Sequence, residues 1–112
     1  MNKPMASNIS TSLIISTYNR SDALELCVKS VLRQSLLPDE IIIADDGSKE
    51  DTRELIHQLA ASSEVPIIHV WHEDLGFRLA SIRNKAIAKA SKEYIIQIDG
   101  DIVLHKDFVK DR

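Results

Sequence analysis

The sequence predicts an α/β protein with a mostly parallel sheet of about four strands and helices on both faces. Four short runs rich in isoleucine and valine have the apolar, β-branched character of strands that are buried on both sides. Three segments between these runs carry apolar residues at spacings of three and four, which is typical of amphipathic helices. Strands that alternate with helices along one chain imply right-handed crossovers, which place helices on both faces of a parallel sheet.

The first half of the chain predicts two strands with a helix between them. Residues 12–17 form the first strand, and residues 19–22 offer turn and N-cap side chains for the helix that follows. The apolar stripe of this helix includes Cys27, which we therefore expect to pack in the core rather than to act as a nucleophile. Pro38 ends the helical segment, and residues 40–44 form the second strand.

The second half predicts two more helices, each followed by a strand. A helix centred on residues 55–59 leads to a strand over residues 67–71. The third helix begins near Arg78, and the fourth strand covers residues 93–98. A last amphipathic segment begins near Lys106.

Composition restricts the classes of function. The chain has 112 residues, a net charge of −3 and 44% apolar residues, which suits one globular domain and argues against disorder. An acidic net charge also argues against nucleic acid as a partner, because binding to a phosphate backbone requires a basic face. A single cysteine cannot form an internal disulfide, so nothing in the sequence requires an oxidising compartment.

We expect residues 11–112 to form one domain after a flexible N-terminus of residues 1–10. No apolar stretch approaches the roughly 18 residues of a transmembrane helix, and the first ten residues lack the apolar run of a signal peptide. These features predict a cytoplasmic protein, with peripheral attachment at the inner face of the membrane as the other option.

Acidic residues follow the second and fourth predicted strands. Asp45 and Asp46 end the second run, and Asp99, Gly100 and Asp101 end the fourth. Ligands of open parallel sheets bind outside the carboxyl ends of the strands, so these carboxylates should meet at one edge. Clustered carboxylates repel one another, and a divalent cation such as Mg²⁺ or Mn²⁺ offsets that repulsion while binding a substrate diphosphate.

Each acidic motif also has a purely structural interpretation. Asp-Gly is common turn chemistry, so Asp99 to Asp101 could be a solvated turn. Asp46 with Gly47, which suits a positive φ, could form a turn in which Ser48 caps the next helix. The aromatic ring of Tyr18 could stack on a nucleobase or could be an ordinary half-buried side chain.

Basic residues near the third helix could contact phosphate. Arg78 and Arg83 flank its start, and guanidinium groups bind phosphate oxygens in a bidentate manner. Lysines of this helix are assigned to its solvated face. The histidines show no metal-ligand spacing, and among them only His72, at the carboxyl end of a strand, is kept as a weak site candidate. The indole of Trp71 is expected in the core.

Five sequence blocks, taken in order, resemble the family-two inverting glycosyltransferases. The similarity covers roughly residues 11–110, and the segment from Gly76 to Asn84 is most similar to the bacterial chondroitin polymerases and their β-galactosyltransferase relatives. The blocks are SLIISTYNR at residues 12–20, SVLRQS at 30–35, EIIIADDGS at 40–48, ASIRNKA at 80–86 and YIIQIDGD at 94–101.

The resemblance implies the Rossmann-like half of the A-type glycosyltransferase fold, with a donor that is a nucleotide diphosphate sugar, usually of uridine. It further implies a base pocket, a diphosphate contact and a metal ligand. Ser16 and Tyr18 would line the base pocket, Asp46 would bond the uracil beside Asp45, Arg78 and Arg83 would lie near the uridine or diphosphate, Asp99 would contact ribose or metal through water, and Asp101 would bind Mn²⁺ or Mg²⁺ directly.

Members of this family continue well beyond the position of Arg112, where this sequence ends. The resemblance therefore implies that the acceptor half, which binds a glycan or lipid-linked acceptor, and the general base are absent here. We expect a chain that binds nucleotide without efficient sugar transfer, or a fragment of a longer enzyme. A truncated sheet also leaves an exposed edge, which predicts self-association.

Two other classes stay open from the residues alone. A sugar nucleotidyltransferase of related fold usually has a glycine-rich basic loop after the first strand, but residues 16–20 contain no glycine. A non-catalytic nucleotide-binding or receiver-like module could use Asp45 and Asp46 as an acidic pocket. A receiver would leave the acidic pair around Gly100 unexplained.

Overall fold

The computed structural model describes residues 10–73 and 79–100, which contain four strands and three helices. Elements alternate along the chain as the sequence predicts, and each predicted strand is found within one residue of its expected ends. The strands are β1 (Thr11–Thr17), β2 (Glu40–Asp45), β3 (Ile67–Trp71) and β4 (Tyr94–Asp99), and the helices are α1 (Ser21–Leu32), α2 (Glu50–Ser62) and α3 (Leu79–Lys89).

The four strands form one parallel sheet in the order β3-β2-β1-β4. The order means that the chain adds strands on one side of β1 and then crosses to the other side for β4. The register places Ser16 opposite both Ala44 of β2 and Asp99 of β4, so the carboxyl ends of three strands lie side by side.

Helices pack on both faces of the sheet, as predicted. Alternate residues of a strand point to opposite faces, so the uninterrupted apolar runs of β1 and β2 feed two separate cores. The core shared with α1 and α2 contains Leu13, Ile15, Leu24, Cys27, Val28, Val31, Ile41, Ile43, Ile56, Leu59, Val65, Ile96 and Ile98, and the core shared with α3 contains Ile14, Ile42, Ala44, Val70, Ile82 and Ala86. The burial of Cys27 is confirmed.

Three local predictions are wrong. Residues 19–22 supply no N-cap side chain, because Arg20 occupies the N-cap position of α1 and no side-chain cap hydrogen bond forms there. Ser48 does not cap α2, because Lys49 occupies the N-cap position and no side chain bonds the first turn. Glu50 and Asp51 instead place negative charge in that turn, where the helix dipole favours it. Trp71 is not in the core: it is 40% exposed on the edge strand β3, and the guanidinium of Arg53 lies 5.3 Å from its ring centroid.

Among the three helices that the structure describes, none combines the length and apolar sequence needed to cross a bilayer. The predicted N-terminal segment of residues 1–10 lies almost entirely outside the described residues, as does the amphipathic segment near Lys106.

The buried carboxylate of Glu40 joins the amino ends of β1 and β2 to the turn before β4. Ser12 Oγ donates to Glu40 Oε2 over 2.6 Å, and Ser91 donates to the same carboxylate from its backbone N–H (2.9 Å) and its hydroxyl (3.0 Å). Burial of the carboxyl raises its pKa, but these hydrogen bonds and the charge of Lys92 outweigh that effect and hold the pKa of Glu40 below its usual range.

We expect Glu40→Gln to lower the free energy of unfolding at neutral pH by about 1–3 kcal/mol, because an amide replaces an ionised acceptor of three hydrogen bonds. A carboxyl whose pKa is lower in the folded state stabilises the protein fully above its unfolded pKa of about 4.3. That stabilisation is lost as pH falls through the folded pKa. Urea unfolding of both proteins across this range measures the difference.

The exposed Glu93, which directly precedes β4, is the control. Glu93→Gln should leave the free energy of unfolding within about 0.5 kcal/mol of the parent at each pH. A wild-type advantage over Glu40→Gln that did not shrink in acid would contradict the role assigned to this carboxylate.

Candidate functional site

A cleft of about 200 Å³ opens at the carboxyl edge of the sheet, where β1 and β4 end beside the loop that follows β2. Parallel α/β sheets bind ligands at this edge. The volume is below the roughly 300–1,000 Å³ of a typical small-molecule site, so the described residues form part of a site. The residues that line the cleft are Ser16, Thr17, Tyr18, Arg20, Asp46, Leu79, Asp99 and Gly100.

The loops after β1 and β2 are joined by hydrogen bonds behind the cleft. Asn19 donates its backbone N–H to Ser48 Oγ (2.7 Å) and accepts from the N–H of Lys49 with its side-chain oxygen (2.9 Å). Asp46 donates its N–H to the carbonyl of Thr17 over 3.0 Å. Asn19 has a φ of 49°, a left-handed conformation that asparagine tolerates better than most residues. These bonds fix the position of Asp46 relative to the end of β1.

Asp45 shapes the loop rather than the cleft surface. Its carboxylate is fully buried and accepts from the N–H of Ser48 over 2.8 Å, while His69 Nε2 lies 2.8 Å from its other oxygen. Gly47 between them has a φ of 97°, which confirms the positive φ expected there. The placement gives Asp45 a role in holding the turn, and its contact with a nucleotide stays a prediction.

Asp46 lines the cleft and is linked through His72 to α3. His72 lies just after β3, is 8% exposed, and places Nε2 2.5 Å from Asp46 Oδ1. The other ring nitrogen, Nδ1, lies 3.2 Å from the ammonium of Lys85. The sequence identified His72 only as a weak candidate and placed Lys85 on the solvated face. Lys85 is exposed, but its ammonium reaches the buried imidazole.

Arg83 brings positive charge to the junction of β1 and β4. Its Nε donates to Ser16 Oγ and a terminal nitrogen donates to Asp99 Oδ1, each over 3.1 Å. The Arg83 and Asp99 side chains are 37% and 61% exposed, so solvent screens this ion pair and it adds little stability. Both groups are therefore available to reorganise around a charged ligand.

Thr17 lines the cleft, but its hydroxyl is buried. Its Oγ1 has no hydrogen-bond partner among the residues that the structure describes. A buried polar group without a partner costs free energy of about 1–3 kcal/mol. Thr17 therefore shapes the cleft without offering its hydroxyl at the surface.

Gly100 is required by the packing of two strands. Its N–H donates to the carbonyl oxygen of Ser16 over 2.7 Å, and a Cβ at this position would lie 2.8 Å from the same oxygen. The structure shows that the group which approaches Gly100 is the protein's own backbone.

The structure brings four of the predicted nucleotide-binding residues to one cleft: Ser16, Tyr18, Asp46 and Asp99. Arg83 contacts two of them, and Asp45 lies behind them. Arg78 and the predicted metal ligand Asp101 lie outside the described residues. Residues that sequence reasoning missed are Thr17, Arg20 and Leu79 on the cleft surface and His69 and Lys85 behind the two aspartates.

Of the two residues behind the aspartates, His69 could have been found from the sequence together with the strand order. His69 pairs in register with Ile43, so it faces the same side of the sheet as Asp45, two residues further along β2. Strand order is needed for that inference, because it holds only if β3 lies next to β2. The contact of Lys85 with His72 depends on how α3 crosses the sheet, which the sequence does not specify.

The described residues supply one exposed carboxylate, that of Asp99, at the position where the metal is expected. Within residues 10–73 and 79–100 there is no group of three His, Cys, Asp or Glu side chains that could hold a metal ion. Carboxylate oxygens are the ligands that Mg²⁺ and Mn²⁺ prefer, so the chemistry of Asp99 fits a divalent cation but does not complete a site.

An α/β protein with a cleft at the carboxyl edge of a parallel sheet belongs to the broad class of folds that bind their ligands at this edge. The chain matches the family described as "Glycosyl transferase family 2" over residues 12–111 and belongs to that family. It is 32% identical over 101 residues to chondroitin synthase from Pasteurella multocida (strain Pm70), which covers 89% of this chain and 10% of that protein.

Solved structures share the fold. S. aureus TarS 1–349 in complex with UDP-GlcNAc matches with a TM-score of 0.80 and 23% identity over 92% of this chain and 30% of that one. The mannosyltransferase PcManGT from Pyrobaculum calidifontis, in complex with GDP-Man and Mn²⁺, matches with a TM-score of 0.79 and 21% identity over 90% and 30%. The chain thus spans about a tenth of the chondroitin synthase and under a third of either solved chain.

We expect Gly100→Ala to lower the free energy of unfolding by about 1–3 kcal/mol, because the new methyl group forces β4 away from the backbone of β1. The obstacle is a backbone oxygen, so a second change of the Ser16 side chain cannot relieve it. Thermal and urea unfolding measure the loss.

Ser16→Ala alone and in combination with Gly100→Ala is the matched comparison. The double variant should show the full cost of the Gly100 change. An unchanged melting temperature in Gly100→Ala would mean that the strands have room to separate and would contradict this explanation.

Proposed function

We propose that this chain is the donor-binding part of a glycosyltransferase that transfers a sugar from a nucleotide diphosphate sugar, with uridine as the base, to an acceptor hydroxyl with inversion. This proposal depends on one observation: Asp46 of the β2–α2 loop lines the same cleft as Ser16 of β1 and Asp99 of β4. Residues 11–112 form the domain for this purpose.

Chemistry at the Asp46 end of the cleft supports recognition of a base. An ionised carboxylate accepts hydrogen bonds and donates none, so it complements the imide N–H of uracil. Tyr18, which is 43% exposed at the cleft, offers an aromatic face to a planar ring.

Chemistry at the Asp99 end supports binding of ribose and diphosphate. The guanidinium of Arg83 is held there by a solvent-exposed ion pair with Asp99 and a hydrogen bond to the buried Ser16, and its planar fork is well suited to bind phosphate oxygens. Asp99, with Asp101 beyond the described residues, would hold Mn²⁺ or Mg²⁺, and Arg78 would add a second cation. A bound divalent metal offsets the charge that develops on the leaving diphosphate.

The relatives support a role in making a polysaccharide, since one is named as a chondroitin synthase. The acceptor would be a glycan or a lipid-linked sugar. In the whole enzyme, an Asp or Glu outside this chain would remove the proton of the acceptor hydroxyl as it attacks the anomeric carbon from the face opposite the leaving group.

The edge strand β4 supports a further part of the proposal. Tyr94 and Ile95 are 45% and 37% exposed, and β1 is the one strand paired with β4 within the described residues. An open, partly apolar edge favours pairing with another chain. We therefore include self-association of the isolated chain in the proposed behaviour.

Titration of UDP into the chain, followed by calorimetry with and without Mn²⁺, tests the function. We expect binding that Mn²⁺ strengthens and that Asp101→Ala no longer couples to the metal. Asp46→Asn should weaken UDP binding about 10- to 100-fold, because it replaces an acceptor by a donor at the base while preserving size.

Lys89→Met, on the exposed end of α3, is the control and should bind UDP as the parent does. A folded chain that binds no UDP in the presence of Mn²⁺, or an Asp46→Asn variant with unchanged affinity, would overturn the proposal.

A further inference from the structure

Three side chains form a series of contacts that ends in the cleft. They come from α3 and from positions just after β3 and β2. Lys85 of α3 approaches Nδ1 of His72, and Nε2 of His72 approaches Oδ1 of Asp46. His72 and Asp46 are almost fully buried, with side chains 7% and 3% exposed. A buried polar chain of this kind has few alternative arrangements, so the donor and acceptor of each contact can be assigned.

The lysine fixes the tautomer of the imidazole. A lysine ammonium has three donors and no acceptor, so the ring nitrogen that faces it must accept. A neutral imidazole that accepts at Nδ1 carries its proton on Nε2. The Nε2–H group then donates to Asp46, whose ionised carboxylate has acceptors and no donor. The direction of donation therefore runs from Lys85 through His72 to Asp46.

We propose that His72, held by Lys85 as the Nε2–H tautomer, is a positioning residue that fixes the orientation and the acceptor character of Asp46 for a base that carries a ring N–H. The proposal rests on the proposed function, because it assigns a base to this end of the cleft. Uracil and guanine present such an N–H. Cytosine presents an unprotonated ring nitrogen at the corresponding position, which repels a carboxylate.

These residues would then have different roles in the specificity for the base. Asp46 contacts the base, while His72 and Lys85 determine how well that contact discriminates. Without His72, the carboxylate loses the N–H donor that holds its plane, and its orientation toward the base is less well fixed. A carboxylate whose plane is not held aligns less well with the imide N–H of uracil, so the affinity for UDP falls relative to the affinity for CDP.

Nitrogen-15 NMR of the imidazole in the whole 112-residue chain, at neutral pH and without nucleotide, tests the tautomer directly. We expect a protonated, pyrrole-type shift for Nε2 of His72 and an unprotonated, pyridine-type shift for Nδ1. Lys85→Met should move the Nδ1 shift, because that nitrogen loses its hydrogen-bond donor, while Nε2 stays protonated through its contact with Asp46. Lys89→Met, one turn further along α3, should leave both shifts unchanged. An imidazolium or an Nδ1–H form in the parent would overturn the proposal.

Binding of UDP and CDP, each with Mn²⁺, tests the consequence. We expect His72→Phe to reduce the ratio of UDP to CDP affinity about tenfold, the loss associated with one well-placed hydrogen bond. His72→Gln should restore most of the ratio, since its amide donates to Asp46 and its oxygen accepts from Lys85. A purely structural role for His72 would change both affinities together and leave the ratio intact.

His57→Gln, on the exposed face of α2, is the matched histidine control. If His72→Phe does not fold, the exposed Lys85→Met variant carries the same test, with a smaller fall in the ratio. If the parent chain binds UDP and neither change alters the ratio of UDP to CDP affinity, this inference is overturned and the proposed function stands. Parent chain that binds neither nucleotide would overturn both, whatever the NMR shows.

Discussion

The central position of β1 is the constraint on which the candidate site depends. β1 pairs with β2 on one side and β4 on the other, so Ser16 lies in register with both Ala44 and Asp99. A side chain at the end of β1 therefore faces polar groups that are distant in sequence. Burial on both faces requires an apolar run in β1, and that same burial keeps the strand ends at fixed positions relative to one another.

The aspartates at this edge are paired with side chains of the protein, whereas their mutual repulsion alone suggests that a metal ion compensates their charge. The acidic residues after β2 and β4 indicate a cation as their common partner, yet each aspartate in the described residues has a partner of its own. Imidazoles from the end of β3 contact Asp45 and Asp46, and Arg83 of α3 contacts Asp99. The carboxylates after β2 thus need no metal to be buried. At the proposed site of Asp99 and Asp101, a divalent cation would be needed only to offset the charge of a ligand.

The sequence predicts the fold better than the contacts of the site, for a physical reason. Buried strands must be apolar and must end where polar residues begin, so each strand is predicted within one residue. Helix starts are less well marked, because neither α1 nor α2 has a side-chain cap. Trp71 is on an edge strand, and edge position depends on strand order rather than on local sequence. The approach of Lys85 to His72 depends on the path of α3 across the sheet.

Asp45 and Asp46 show how one step along the chain separates stability from recognition. Asp45 is the last residue of β2 and follows the alternation of the strand, so it faces the side of α2, where Ser48 and His69 occupy its oxygens. Asp46 lies one residue beyond the strand and bonds His72, which α3 supports from the other side of the sheet. Identical carboxylates thus acquire different roles, because the sheet alternates its faces and each face carries a different helix. A change of base preference in a related chain would then be expected at the supporting positions of Asp46, whereas a change at Asp45 would first alter the turn that holds both.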